Sequence, residues 1–289
     1  MSQAQASAER TRAPFGRRSA EVVANEVSGG YRIVSALDRE GPDPEAGQFY
    51  MLAAARGWGE GADRPYLPRA FSVAEAERGA GGVRLDFLLE DVGPGTRRLA
   101  ALESGEDLLL TGPLGRPFSI PRAINPDAAG AILVGGGIGL APLAILRRRL
   151  AAAGVPLRTL LGFRDEAHSG GMELFRCCEV GLASEDGHAG HRGYVTDLLA
   201  RMLDGDQAAS AVVYSCGPPA MLEAVRSMCA QRGAACELAL ESPMACGYGA
   251  CFGCAVPLAG GGYMRLCVDG PVVRGDQIET ALVDGAGHR

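Results

Sequence analysis

From residue 21 the chain reads as short apolar runs, at 22–27, 31–37, 48–53, 69–74, 83–89 and 107–110, separated by turns rich in Gly, Pro, Asp and Glu. Short runs bounded by turn residues predict strands, and a succession of them with little helix predicts an antiparallel barrel. Residues 95–102 are the one helical stretch there. At residue 131 the pattern changes: 132–134 reads as a buried strand, 140–153 as a helix, 157–162 as a strand, 171–180 and 194–203 as helices, 211–216 as a strand and 219–232 as a helix. That alternation builds a doubly wound parallel sheet. Residues 121–129, with Pro121, Asn125 and Pro126, read as the linker, and from 237 onward the chain turns to Gly and Cys with little periodicity. The predicted fold is therefore multidomain β plus α/β: a β-barrel over 21–120, an α/β domain over 128–236 and a small C-terminal domain over 237–289.

Composition narrows the functions open to this fold. A net charge of −6 leaves no global basic field, so a nucleic-acid role has no electrostatic support. All 28 basic residues are Arg, which excludes lysine chemistry. Residues 1–20 carry Arg10, Arg12, Arg17 and Arg18 but no apolar signal core, and read as a disordered arm. Residues 128–146 are uncharged and followed by Arg147, Arg148 and Arg149, as a membrane span would be, but five Gly and Pro142 interrupt them. A strand, a Gly-rich turn and a helix explain that stretch better. Nine Cys, an odd number, without a secretory signal predict a cytoplasmic chain with reduced thiols.

Four of those Cys fall in the last 44 residues. Cys246, Cys251, Cys254 and Cys267 stand as C-x4-C-x2-C-x12-C, and the first three match plant-type [2Fe-2S] spacing. Gly247, Gly249 and Gly253 allow the backbone to wrap the cluster and aim N–H groups at sulfur. A structural zinc site is the competing reading, but zinc ribbons usually supply two C-x2-C knuckles and only Cys251 and Cys254 form one. Cys177, Cys178, Cys229 and Cys236 lack such spacing and read as small buried hydrophobes.

Gly135, Gly136, Gly137 and Gly139, with Pro142, join a strand to a helix, the context of a phosphate-binding turn. Pro142 stands where a dinucleotide fingerprint has its third Gly, so a bare tight turn stays open as an alternative. Cys216, Gly217 and Pro218 follow the 211–216 strand at the carboxyl edge of the sheet, which makes Cys216 a candidate catalytic thiol near a nicotinamide, or marks only a helix start. In the barrel, Arg69, Ala70, Phe71 and Ser72 offer a cation and a hydroxyl to a flavin, and Gly93, Gly95 and Thr96 offer backbone donors to its phosphates. A strand Arg is otherwise a solvated face. After the second strand, Arg164 suits a 2′-phosphate and Asp165 a ribose hydroxyl, which leaves NAD and NADP undecided.

In this order the motifs resemble the ferredoxin-reductase-like flavoproteins. The stretch from Leu240 to Cys254, with Cys267-Val268-Asp269-Gly270-Pro271 and Gly193-Tyr194-Val195-Thr196-Asp197, is similar to the electron-transfer subunits of dihydroorotate dehydrogenase B. The resemblance implies FAD at Arg69, Ser72, Gly95 and Thr96, NAD at residues 135–139 and Cys216, and a cluster on the four C-terminal Cys. It also implies a separate FMN-containing catalytic subunit as partner, two copies of each, with electrons flowing through the cluster and FAD to NAD. Arg116 and Pro117 depart from the smaller turn expected after Gly115. A reductase feeding a ferredoxin or an oxygenase, or a redox-sensing module that never turns over, are the competing functions.

Overall fold

The computed structural model describes residues 16–60, 65–176, 178–204 and 210–283. Strands β1 (Arg18–Ser28), β2 (Tyr31–Asp38), β3 (Phe49–Ala54), β4 (Arg69–Gly79), β5 (Gly82–Glu90) and β6 (Asp107–Leu114) close into an antiparallel barrel ordered β1-β2-β5-β4-β3-β6. Val22, Val34, Val73, Leu85, Phe87, Leu108 and Leu110 are all buried in its core. Helix α1 (Pro94–Ala100) lies between β5 and β6 in sequence.

The barrel begins earlier than the sequence suggests. β1 starts at Arg18, so residues 18–20, expected in the arm, are strand. The Arg18 guanidinium is buried, 2.6 Å from Asp38 and donating to the Gly112 carbonyl at 2.8 Å. In sequence that arginine looks like one more solvated charge. The remainder of the predicted arm, residues 1–15, lies outside the described residues.

Helix α2 (Pro121–Ile124) then leads into β7 (Gly130–Gly136), α3 (Ala141–Ala152), β8 (Leu157–Phe163), β9 (Val180–Ser184), β10 (His191–Arg192), α4 (Val195–Leu203), β11 (Ala211–Cys216), α5 (Pro219–Arg232) and β12 (Ala235–Ala239). The C-terminal segment adds β13 (Ala255–Pro257), β14 (Tyr263–Arg265), α6 (Leu266–Asp269) and β15 (Val272–Arg274). β7 and β11 are almost wholly buried, as central strands covered on both faces must be. The large sheet runs β10-β9-β8-β7-β11-β12-β15 and is parallel except for β15, which pairs antiparallel with β12. The chain thus leaves the sheet, forms the Cys-rich loop and returns to it.

The helix expected over 171–180 is absent. A single 3-10 turn, Met172–Phe175, stands there, and Val180 opens β9. The cause is docking on the barrel: the Gly171 amide donates to Ser28 Oγ at 2.7 Å, and a Cβ on Gly170 would stand 1.9 Å from the Ser28 carbonyl oxygen. Elsewhere the two units are joined by Glu237, which accepts from the Ser119 amide (2.8 Å) and hydroxyl (2.7 Å), and by Arg148, which pairs with Glu75. The suspected span at 128–146 is strand, turn and helix, and no helix among the described residues is long and apolar enough to cross a membrane.

Candidate functional site

The barrel side of the site is built where β4 begins. Arg69 lies across the first turn of α1, so close that a Cβ on Gly95 would sit 2.8 Å from its Nε. The sequence motifs at 69–72 and 93–96 therefore meet. The guanidinium donates to the Leu67 carbonyl (2.6 Å) and has no carboxylate partner among the described residues. Thr96 is not free to bind a ligand through its hydroxyl, which accepts from the amides of Val92 and Gly93, both at 2.9 Å, and holds the turn closed. Ser72 sits opposite Phe49 in the β3–β4 ladder, with Ala70 opposite Met51.

Sequence reasoning missed Trp58. Its ring lies 5.9 Å from the Arg69 guanidinium, and its Nε1 is buried without a hydrogen-bond partner. An orphaned buried donor costs roughly 1–3 kcal/mol unless something accepts from it. A guanidinium with no carboxylate partner among the described residues, beside an orphaned N–H, fits an anionic cofactor such as the pyrophosphate of FAD. The signal available in the sequence was that this is the chain's single Trp, in a Gly-rich loop.

The second part is a cavity of about 610 Å³ between the barrel and the carboxyl edge of the sheet. Gly136, Gly137, Gly217 and Pro218 line it, with Tyr31 and Glu90 from the barrel and Met221 from α5. Gly135, Gly139 and Pro142 do not line it. A Cβ on Gly135 would meet Leu161 at 2.8 Å, and one on Gly139 would meet the Gly217 backbone at 2.5 Å. These two glycines permit close packing behind the cavity. Gly137, at φ +52, is the turn residue that needs a left-handed backbone.

Cys216 is also outside the cavity wall. Burial, reinforced by the Glu241 charge, pushes its thiol far above the ordinary range, so it stands neutral. At the rim, Arg164 is held by Asp165 (3.0 Å) and by the His168 ring, and Asp165 is pulled down to about 2 chiefly by its hydrogen bond with His168. The carboxylates of Glu90, Glu185 and Glu241 all border the cavity.

The third part is the Cys-rich loop. Cys254 and Cys267 are buried with their sulfurs 3.3 Å apart, while Cys251 is exposed. Burial works against ionising Cys246, but the amides of Cys251, Tyr248 and Ala250 donate to it, and its pKa falls to about 6. N–H donors converging on sulfur are what cluster thiolates need. Among the described residues no three ligating side chains meet at one point. Four cysteines shared over two irons do not require it. Arg265 braces the loop, donating to the Gly249 carbonyl (3.1 Å), with its guanidinium 5.1 Å from the exposed Phe252 ring. Cys178, Cys229 and Cys236 lie elsewhere, and Cys177 is outside the described residues.

The loop is pressed onto the barrel at β3. A Cβ on Gly247 would stand 2.6 Å from Met51 Cγ, and the Arg116 amide donates to the Gly270 carbonyl at 2.5 Å. The unexpected turn after Gly115 therefore serves to dock this loop. The Cβ on Gly247 would also meet Leu114 of β6 at 3.2 Å, and Met51 itself stands opposite Ala70 of β4.

Comparison with known proteins agrees with this layout. Residues 241–279 match the iron-sulfur cluster binding domain of dihydroorotate dehydrogenase B, and residues 164–227 match an oxidoreductase NAD-binding domain. The dihydroorotate dehydrogenase B (NAD+) electron transfer subunit of Listeria welshimeri is 35% identical over 82% of this chain and 88% of its own length. That of Caldanaerobacter subterraneus subsp. tengcongensis is 31% identical over 91% and 98%. Among solved structures, an NADH-dependent reduced ferredoxin-NADP oxidoreductase superposes with a TM-score of 0.76 at 23% identity, covering 92% of each chain. Phthalate dioxygenase reductase gives 0.59 at 17% identity, covering 92% and 96%. At those identities the superpositions speak for the fold alone.

Proposed function

The chain belongs to the family of dihydroorotate dehydrogenase B (NAD+) electron transfer subunits, oxidoreductases of pyrimidine biosynthesis that use FAD, a [2Fe-2S] cluster and NAD, and from that premise we propose which residues do the work. FAD, when bound, supplies the exchange between the hydride of a nicotinamide and the single electrons of a cluster. Arg69 and the Trp58 N–H bind its pyrophosphate, aided by the backbone at Gly93 and Gly95. Ala70, Phe71 and Ser72 face its ring, and Thr96 keeps the phosphate turn closed. Cys246, Cys251, Cys254 and Cys267 hold the cluster.

Gly136, Gly137, Gly217 and Pro218 form the floor for NAD, with Gly135, Gly139 and Pro142 behind them. Cys216 acts there as a neutral, positioning thiol. NAD is preferred over NADP because Arg164 is already engaged by Asp165, and Glu90, Glu185 and Glu241 would repel a 2′-phosphate. Glu185, just after β9, is placed to accept from a ribose hydroxyl.

The observation that carries this reading is Met51 of β3, which stands opposite Ala70 of β4 and is at the same time pressed by Gly247 of the cluster loop. Flavin and cluster, when bound, would be held by neighbouring elements. The partner is the FMN-containing catalytic subunit, in a cytoplasmic assembly of two copies of each, docked over the exposed Tyr248 and Phe252. The test is co-expression with that subunit. Alone, the chain should reduce ferricyanide with NADH and leave dihydroorotate untouched; the complex should couple dihydroorotate oxidation to NAD. Oxidation of dihydroorotate by the lone chain, or a complex that cannot couple the two, refutes the proposal.

A further inference from the structure

Cys229 and Cys236 read in the sequence as isolated small hydrophobes, yet the fold brings them together. Cys229 stands in the last turn of α5 and Cys236 is the second residue of β12. Gly233, at φ +68, ends the helix, and the Ala234 amide returns to the Cys229 carbonyl at 2.9 Å. The chain therefore doubles back and carries Cys236 past the helix end. Both residues then border one cavity, each within reach of the other's influence on ionisation.

Three features separate this pair from two cysteines sealed in a core. A cavity of about 770 Å³ is lined by both, together with Arg226, Arg274 and Gly275. Gly275 leaves room for the Cys236 sulfur, since a Cβ there would stand 2.4 Å from it. The neighbouring Cys229 thiol lowers the Cys236 pKa against the opposing effect of burial, with help from the Gly275 amide, and so favours the nucleophilic thiolate. Neither sulfur belongs to the C-x4-C-x2-C motif.

We infer that Cys229 and Cys236 form a reversible dithiol–disulfide pair that is oxidised by peroxide entering this cavity. The Cys236 thiolate attacks one peroxide oxygen; the O–O bond breaks, hydroxide leaves and is protonated to water, and Cys236 becomes a sulfenic acid. The Cys229 sulfur then attacks the Cys236 sulfur. The S–O bond breaks, and the departing hydroxide takes the Cys229 proton as a second water. Two thiols lose two electrons and two protons, and one peroxide becomes two waters. A thiol reductant reverses the bond by exchange. The product ties the end of α5, whose first turn borders the nucleotide cavity, to β12 of the sheet.

The test uses the full chain with FAD and cluster bound. It is treated with a slight excess of hydrogen peroxide, blocked with N-ethylmaleimide under denaturing conditions and cut by a Glu-specific protease. Cleavage after Glu223 and Glu237 releases residues 224–237, which contain Cys229, Cys236 and no other cysteine. The expected peptide is lighter by two hydrogens, carries no maleimide, and takes up two maleimides if a thiol reductant precedes blocking. Two maleimides after peroxide, or added oxygen without loss of both thiols, overturns the inference. In Cys229→Ser the reaction should stop at the sulfenic acid, which dimedone traps on Cys236; no adduct there overturns the assignment of the attacking sulfur. If that variant does not fold, the wild-type peptide mass still decides the matter.

Discussion

Gly139→Ala tests how the nucleotide cavity is held, because the added methyl has nowhere to go. Its carbon would stand 2.5 Å from both the amide nitrogen and the Cα of Gly217, nearly 1 Å short of the 3.4 Å at which ordinary contact begins. The obstructing atoms are backbone, so no side chain can rotate aside. The turn at 137–140 and the segment at 216–218 must separate, and Gly137, Gly217 and Pro218 line the cavity on either side of that contact. Overpacking of this kind costs about 1–3 kcal/mol. If the shift is taken up at the cavity floor, NADH affinity falls about 5- to 150-fold. The assay is anaerobic stopped-flow reduction of the bound flavin over a range of NADH concentrations, with FAD and iron content as controls. Both controls should be unchanged, since Arg69 and the four C-terminal cysteines lie on other elements. Wild-type NADH affinity in Gly139→Ala would refute the reasoning, because it would mean that these backbones can part without disturbing the floor.

Three further outcomes follow from the geometry. Arg69→Ala should weaken FAD binding about ten- to a hundredfold, the worth of one charge-assisted contact of roughly 1.5–3 kcal/mol, and Trp58→Phe should also weaken it by losing the orphaned N–H; fluorescence titration of apoprotein with FAD reads both, and unchanged affinity makes them surface contacts. Cys254→Ser should abolish cluster absorbance while FAD stays bound, and full iron content would end the four-cysteine assignment. Glu223 is held at about 2, mainly by Arg226, and it fixes the C-terminal segment through Thr280 and the Ala281 amide (2.7 Å). Its folded-state pKa lies below the ordinary 4.5, so this grip is complete above about pH 4.5, weakens below it and is gone as pH falls through about 2. Hydrogen exchange of the Ala281 amide should accelerate over that window, whereas a flat profile would show that the contact contributes nothing.

The barrel and the cluster loop were legible because their signals are local. Apolar runs such as 31–37 and 83–89 alternate with turns, and the cysteine spacing is chemistry written in sequence. The helix expected at 171–180 failed because the Ser28 contacts, made 143 residues away, set the backbone at Gly170 and Gly171. β12 and the edge strand β15 have only five and three residues, too short to carry a period. The glycines at 135–139 look alike in sequence, yet only Gly136 and Gly137 border the cavity, and which neighbour excludes a methyl group is a property of the packed sheet. That Cys229 and Cys236 border one cavity is invisible for the same reason.

β15 also bears on whether this protein can be taken apart. Because it forms the last strand of the nucleotide sheet after the chain has wrapped the four cysteines, the iron-sulfur segment is not a detachable cassette. Cutting after residue 240 would strip the sheet of an edge as well as removing the segment that matches the iron-sulfur binding domain. A graft of the same segment onto another reductase would have to bring a compatible place for that strand. The electron carriers are accordingly inherited, or lost, together with the platform that holds them, and the spacing between them is fixed by folding instead of by the chance docking of one mobile unit on another.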